Sequence, residues 1–427
     1  MSDTSPKPPY RAGLLAFGGN VALPLSALIT APLLAQGLGA AARGEVAAVV
    51  SAYTLLVMLT SAGLADAVTY FVARRLSTFG FLGRSTLLIC SATAIISIAL
   101  AYLSAPALAA GSVVIEDLIR LTSWLVFPAV IVSVVRGFAA GRNQWGLIAA
   151  EKGTTALVRV GGIAFLLATG TMTAGSASMV LVLSLTAAGV PYLLLLAKEK
   201  DGGHDQTSFR ELTGYASKVW LGAVAGVLLS RVDQILLAPM AGTKQLGLYA
   251  VAVNIGDVPL IIVATFVGLM LTADAKSRND ARLALTSRAT SLLVFLAGSA
   301  LTLSMPLWLT PLFGDEFISA MPVAAILLLA VLIQAPGSVA GAGLSARGTP
   351  HGRSNAIAFA CLANVAALLL LAPGLGAIGA AVATVIGLST NTFFNLFYLK
   401  RWHNVKVGPF FGLRRGDLTE MIKVFRR

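Results

Sequence analysis

The stretch LLSRVDQILLAPMAG, residues 228–242, places Arg231, Asp233 and Gln234 inside a segment that is otherwise almost wholly apolar from residue 219 to 240. A helix of that length rises about 1.5 Å per residue and can cross a hydrocarbon core of about 30 Å. An ionisable side chain near the centre of such a helix costs about 2.5–3.5 kcal/mol on insertion scales, so each one needs an interior position and a partner. Arg231 and Asp233 are two residues apart, about 200° around a helix, and cannot face each other. Asp257, on the adjoining expected span, is the nearer candidate partner for one of them.

Working outward, the whole chain has this character. Of 427 residues, 57% are hydrophobic and 11% charged, with a mean hydropathy of +0.85. Too little polar surface is present for a water-soluble globule. Runs of about 20 apolar residues recur throughout. The alternation of a transmembrane barrel is absent, so the spans are helical. Twelve are expected, at 12–38, 46–73, 81–110, 118–140, 154–170, 176–197, 216–240, 248–273, 289–313, 321–345, 355–372 and 377–398.

The net charge of +13 raises nucleic acid as a partner, but the 31 Lys and Arg residues report topology instead. The tails and the loops on their side hold 25 of them, the opposite loops hold Arg43, Arg120 and Lys244, and Arg136, Arg159 and Arg231 lie within spans. This positive-inside asymmetry puts both termini in the cytoplasm. No nucleic-acid partner is expected. Cys90 and Cys361 lie mid-span, where packing is favoured over a disulfide. The first span is too long for a signal-peptide core and reads as a native helix.

The charged stretch KEKDGGHDQTSFREL, residues 198–212, divides the spans six and six. Two six-span halves have the same orientation, so a repeat between them is parallel. Gly39 and Gly44 of LGAAARGEVAAVV match Gly242 and Gly247 of MAGTKQLGLYAVAV at a shift of 203, and Gly170 and Gly175 match Gly374 and Gly379 at 204. The expected organisation is therefore an N-terminal six-helix lobe over 1–197, a cytoplasmic linker over 198–215, a C-terminal lobe over 216–398 and a cytoplasmic tail over 399–427. Two lobes around a central cavity are the usual plan for alternating access. No phosphate-binding GxxxxGK[ST] loop occurs, so any driving force must come from gradients.

Several passages resemble the polysaccharide-repeat flippases (Wzx type), of the superfamily that includes multidrug and toxic-compound extrusion (MATE) transporters and lipid II flippases. They are residues 29–75, 230–255 and 313–386, carrying LG-x4-G, the Asp of SRVD, G-x-Y-A, FGDEF and PGLGAIGAA in that order. The resemblance implies an all-α, MATE-like polytopic fold in the cytoplasmic (inner) membrane. It also implies translocation of an undecaprenyl-pyrophosphate-linked oligosaccharide from the cytoplasmic to the outer leaflet for surface or exopolysaccharide synthesis. A polysaccharide polymerase is a candidate partner. No cofactor is expected, and H+ or Na+ is the candidate coupling ion.

The charges within spans are the candidate site residues. By the helical rise, Arg231, Asp233 and Asp257 sit about 4, 7 and 5 Å beyond the midplane on the same side. Read functionally, Arg231 binds pyrophosphate or sugar and Asp233 or Asp257 takes the coupling ion. The structural alternative makes them interhelical ion pairs. Arg159 is the candidate second cation for the diphosphate. Arg136, near an inner helix end, binds substrate or snorkels to head groups. Asn20 lines the cavity or bonds a neighbouring helix. Asp66 couples the ion or bonds nearby hydroxyls.

The tail RRGDLTEMIKVFRR, residues 414–427, has helical apolar spacing and reads as an interfacial helix on anionic lipid. His204 and His351 fall in expected loops and His403 in the tail, without metal-ligand spacing, and no nucleophilic triad is visible, so neither a metal site nor an enzyme is expected. A cation-coupled MATE-type exporter is the alternative function. In-span arginines favour an anionic ligand over the cationic drugs such an exporter carries. A membrane scaffold or a polytopic glycosyltransferase is a third reading, and the latter is disfavoured by outer loops of under ten residues.

Overall fold

The computed structural model describes residues 9–74, 79–193, 208–412 and 417, and among these every regular element is helical. Two helices are far longer than a bilayer is thick. α1, Pro9–Ser61, has 53 residues and α12, Pro350–His403, has 54. Each would run about 80 Å at 1.5 Å per residue, more than twice the hydrocarbon core. Each is broken by one glycine, Gly39 at φ 70° and ψ 178° in α1 and Gly376 at φ 56° and ψ −130° in α12. A side chain with a Cβ is strained at these angles, so the glycines let one hydrogen-bonded stretch serve as two spans.

Between them lie α2 (Leu64–Ala73), α3 (Phe79–Leu108), α4 (Val113–Ser123), α5 (Val126–Gly141), α6 (Trp145–Ala168), α7 (Ala174–Ala187), α8 (Phe209–Ala241), α9 (Thr243–Lys276), α10 (Asp280–Phe313) and α11 (Ala320–Ala346). Over its described residues, each of the twelve expected spans is mostly helical. By length and composition alone, seven of the described helices are able to cross a membrane, or eight when α4 and α5, bent by 46°, count as one span. The count is lower than twelve partly because α1 and α12 each carry two spans. α6, with Glu151, Lys152 and Arg159, and α8, with its own charges, are not among the seven.

Some boundaries differ from expectation. Span 2 is interrupted at Ala62 and Gly63, both left-handed, before α2 resumes. α6 starts at Trp145, nine residues before the span read from the sequence, because amphipathic helix extends beyond the apolar window. His351 lies in the first turn of α12 and His403 in its last, so neither is in a loop or free tail. The expected interfacial helix over 414–427 lies outside the described residues except for Asp417.

By internal packing the chain divides into compact units Met1–Val227 and Leu228–Arg427, so the division falls within α8. In the first unit α1 packs on α6 and α7, and α2 on α5. Leu34, Val46, Ile163, Ala177 and Leu181 form one core cluster there. The first half of α8 joins this unit. Tyr215 stacks on Tyr70 at 4.5 Å between centroids, and Trp220 Nε1 donates to Leu59 O at 3.2 Å.

In the second unit α11 packs against α9, α10 and α12. A Cβ at Gly337 would overlap the Thr392 backbone, so glycine is what lets α11 and α12 approach. Small residues at helix contacts are the expected means of association where lipid removes the hydrophobic drive between helices. Leu103, Leu303 and Leu370 are 80%, 80% and 81% exposed, and such surface suits lipid rather than water.

The left-handed glycines recur. Gly39 (φ 70°) and Gly242 (φ 87°) are 203 residues apart, as are Gly111 (φ 79°) and Gly314 (φ 96°). The sequence repeat thus has a backbone counterpart.

Candidate functional site

In the second unit a buried acid joins three helices. Asp233 of α8 is 5% exposed. Its Oδ1 accepts from the Gln234 backbone N–H at 2.7 Å, and its Oδ2 accepts a hydrogen bond from Tyr249 Oη of α9. Thr384 Oγ1 of α12 lies 3.3 Å from Asp233 Oδ2 and 3.0 Å from the Tyr249 hydroxyl. One turn beyond Thr384, Gly387 packs on the side chain of Asn364, which is 1% exposed and whose Oδ1 has no hydrogen-bond partner. One turn before Tyr249, Gln245 Oε1 accepts from Ala377 N at 3.0 Å, beside the break at Gly376. The glycine break and the buried acid are therefore held by the same helix, α9. The carboxylate, hydroxyl and amide oxygens are hard donors of the type that suits a proton or a small cation such as Na+.

Arg231 points elsewhere, as its helical position requires. Its Nη1 donates to Gln234 Oε1 at 3.4 Å, and among the described residues no ion pair joins it to Asp233. Its charge nevertheless acts on both Asp233 and Asp257. The Asp257 side chain is exposed on α9.

In the first unit, Arg159 of α6 donates from Nε to Thr30 Oγ1 of α1 at 3.3 Å. Arg136 of α5 is engaged by its own chain: Nε and Nη2 bond the Glu151 carboxylate at 2.8 and 2.5 Å, and the Tyr192 hydroxyl donates to Glu151 at 2.7 Å. Glu151 is 3% exposed, so this trio clamps α5, α6 and the short turn after α7. Asp66 is exposed in the first turn of α2, where a carboxylate favours the helix dipole. Asn20 lies on α1, and its side chain is outside the described residues.

Tyr249, Thr384 and Asn364 do not stand out in the sequence, because hydroxyls and amides in apolar helices give no signal until a neighbour is known. G-x-Y-A did mark Tyr249, though as a resemblance and without a role. In the sequence Arg43 is only a loop charge. Arg43 is 7% exposed, and its Nε has no hydrogen-bond partner.

Other charges pair structurally. Arg347 is bound to Asp274 at 2.7 Å and Asp280 at 2.8 Å, and Arg288 to Asp417 at 2.6 Å. Among the described residues no group of three His, Cys, Asp or Glu side chains is placed to hold a metal ion.

Comparison with known proteins follows from this architecture. The family described as polysaccharide biosynthesis protein matches residues 13–271. No curated protein matches the sequence. Among solved structures, the chain is similar to the lipid II flippase MurJ in an inward closed conformation (TM-score 0.74, 11% identity, 96% of this chain and 92% of that one). It is also similar to an inward-facing multidrug resistance MATE family transporter (TM-score 0.66, 15% identity, 92% and 98% covered). A third similar structure is a MOP superfamily transporter from Pyrococcus furiosus (TM-score 0.55, 14% identity, 94% and 95% covered). At these identities the likeness establishes the fold, an all-helical polytopic membrane transporter architecture.

Proposed function

Because the chain belongs to the polysaccharide biosynthesis protein family, a family of flippases, we propose that it moves an undecaprenyl-pyrophosphate-linked oligosaccharide from the cytoplasmic to the outer leaflet of the inner membrane by alternating access. Both termini are cytoplasmic in this reading, and the activity is transport rather than catalysis. The task is to carry an anionic, hydroxylated head group past hydrocarbon while the polyprenyl tail stays in lipid. Cations inside spans supply what the pyrophosphate requires, and a buried acid supplies a place for a coupling ion.

The observation that carries the reading, beside family membership, is the state of Arg231. Its hydrogen bond goes to a neutral amide, and its charge answers two acids at once. When H+ or Na+ occupies the Asp233 cluster, one of those acids is neutralised and the guanidinium becomes available to an anion. Ion occupancy and pyrophosphate binding are then favourably coupled, and by linkage the coupling is reciprocal. Arg159 provides a second cation in the first unit, while Arg136 holds α5 against α6.

The test is reconstitution. Vesicles containing the protein and a fluorescent pyrophosphate-linked oligosaccharide are assayed for head-group movement between leaflets with and without an ion gradient. Gradient-dependent movement is expected. Ion-driven efflux of a cationic dye with no movement of the oligosaccharide would instead establish the exporter function.

A further inference from the structure

We propose that the residues following α12 form, together with the first turns of α10, a binding site for an anionic glycerophospholipid. The site lies wholly in the second unit and requires no particular transported substrate.

The chain beyond His403 is seated on α10 as a strap. Val405 and Phe410 are each 1% exposed and belong to one apolar cluster with Leu283, Ala284 and Leu344. Ser287 Oγ donates to Phe410 O at 3.2 Å, and Arg288 Nη1 donates to Pro409 O. Arg288 also holds Asp417, through Nε to Oδ2 at 2.6 Å and through Nη2 to Oδ1 at 2.7 Å. Both partners are buried, and two parallel charge-assisted bonds fix the strap in one register on the helix.

Beside this contact the strap bounds a cavity of about 280 Å³. Arg288, Ser291, Leu292 and Phe295 line it from α10, Leu332 from α11 and Phe411 from the strap. The α10 residues are spaced i, i+3, i+4 and i+7, so the cavity follows one helix face for about 10 Å, from a polar end to an apolar one. Phe295 and Phe411 are 53% and 54% exposed, which leaves the apolar wall open to lipid. At the small end of ligand sites, the volume takes one chain and not a whole amphiphile. In the topology read from the sequence α10 begins at the cytoplasmic interface. The polar end then lies at head-group level, and the apolar run descends into the inner leaflet as an acyl chain does. Charge selects the head group. Beyond residue 398 the sequence carries eight Lys and Arg against Asp417 and Glu420. Arg288 neutralises Asp417, while Lys400, Arg401 and Lys406 are exposed. Such a basic segment attracts anionic lipid, and the cavity beside it gives that lipid a fixed place.

To test this, the full-length protein in detergent micelles is incubated with phosphatidylglycerol carrying a photoreactive diazirine in its acyl chain, and labelled peptides are mapped by mass spectrometry. Labelling is expected to concentrate on residues 288–295 and 410–412. Unlabelled phosphatidylglycerol is expected to displace it at concentrations at least tenfold lower than phosphatidylcholine requires. Ser291→Trp, which fills the cavity and leaves the Arg288–Asp417 pair in place, is expected to cut the labelling at least fivefold. Lys400→Gln, Arg401→Gln and Lys406→Gln combined are expected to remove the preference for phosphatidylglycerol while labelling persists. Equal displacement of the wild-type label by the two lipids overturns the site, since the cavity then meets lipid only as solvent. So does unchanged labelling in folded Ser291→Trp. Displacement by polyprenyl phosphate in preference to phosphatidylglycerol also overturns the proposal and assigns the cavity to a polyprenyl chain.

Discussion

Asp233 shows how one side chain in a hydrophobic helix acquires a role. Its burial would be prohibitive alone, but a tyrosine, a threonine and a backbone amide from three helices stabilise the charged form or a bound cation. Asp233→Asn keeps the shape and most of the hydrogen bonds while removing the charge. It is expected to abolish the ion dependence of head-group movement and lower its rate at least tenfold, measured in vesicles with and without a gradient. Equal ion dependence in wild type and variant would remove Asp233 from coupling. Glu151 supplies the contrast. Glu151→Gln leaves Arg136 without its counter-charge. Because Arg136 is 43% exposed, water screens part of the loss, and the expected cost is about 1–2 kcal/mol rather than the 3–5 kcal/mol of a fully buried pair. A lower Tm with unchanged transport per folded molecule is the outcome expected of a clamp.

At the scale of elements, the breaks matter more than the helices. Gly39 and Gly376 turn two long helices into four spans, and Gln245 fixes the second break by accepting from Ala377 N. Gly39→Val puts a branched side chain at φ 70° and ψ 178°, a region that costs about 1–3 kcal/mol for residues other than glycine. The variant is expected to fold with a lower Tm and reduced yield, read by unfolding in detergent. Gln245→Ala loses one side-chain hydrogen bond to backbone, about 1 kcal/mol. It is expected to increase hydrogen exchange at residues 374–380 without altering exchange in α10. The glycines were visible in the sequence as a repeat at a shift of 203, but a repeat does not say which glycine carries the left-handed turn. Gly376, rather than Gly374 of the matched pair, breaks α12.

For the whole molecule, composition alone determines the solvent. A chain 57% hydrophobic is a polytopic helical membrane protein, because lipid admits only internally satisfied backbone, and the 25 of 31 basic residues expected on one side predict cytoplasmic termini. Single cysteines placed at residues 3 and 425 are therefore expected to react with a membrane-impermeant thiol reagent only after the cells are opened. A cysteine at residue 244 should react in intact cells. What the sequence did not contain is the identity of partners. Arg136 and Arg231 look alike in an apolar run, yet one is clasped by Glu151 and the other hydrogen-bonds a neutral amide. Arg43, a loop charge in the sequence, is buried. Hydrophobicity and charge bias act through local chemistry and survive in one dimension. Pairing depends on residues far apart in the chain, as Asp233 and Thr384 are at 151 positions, and only the packed helices bring them together.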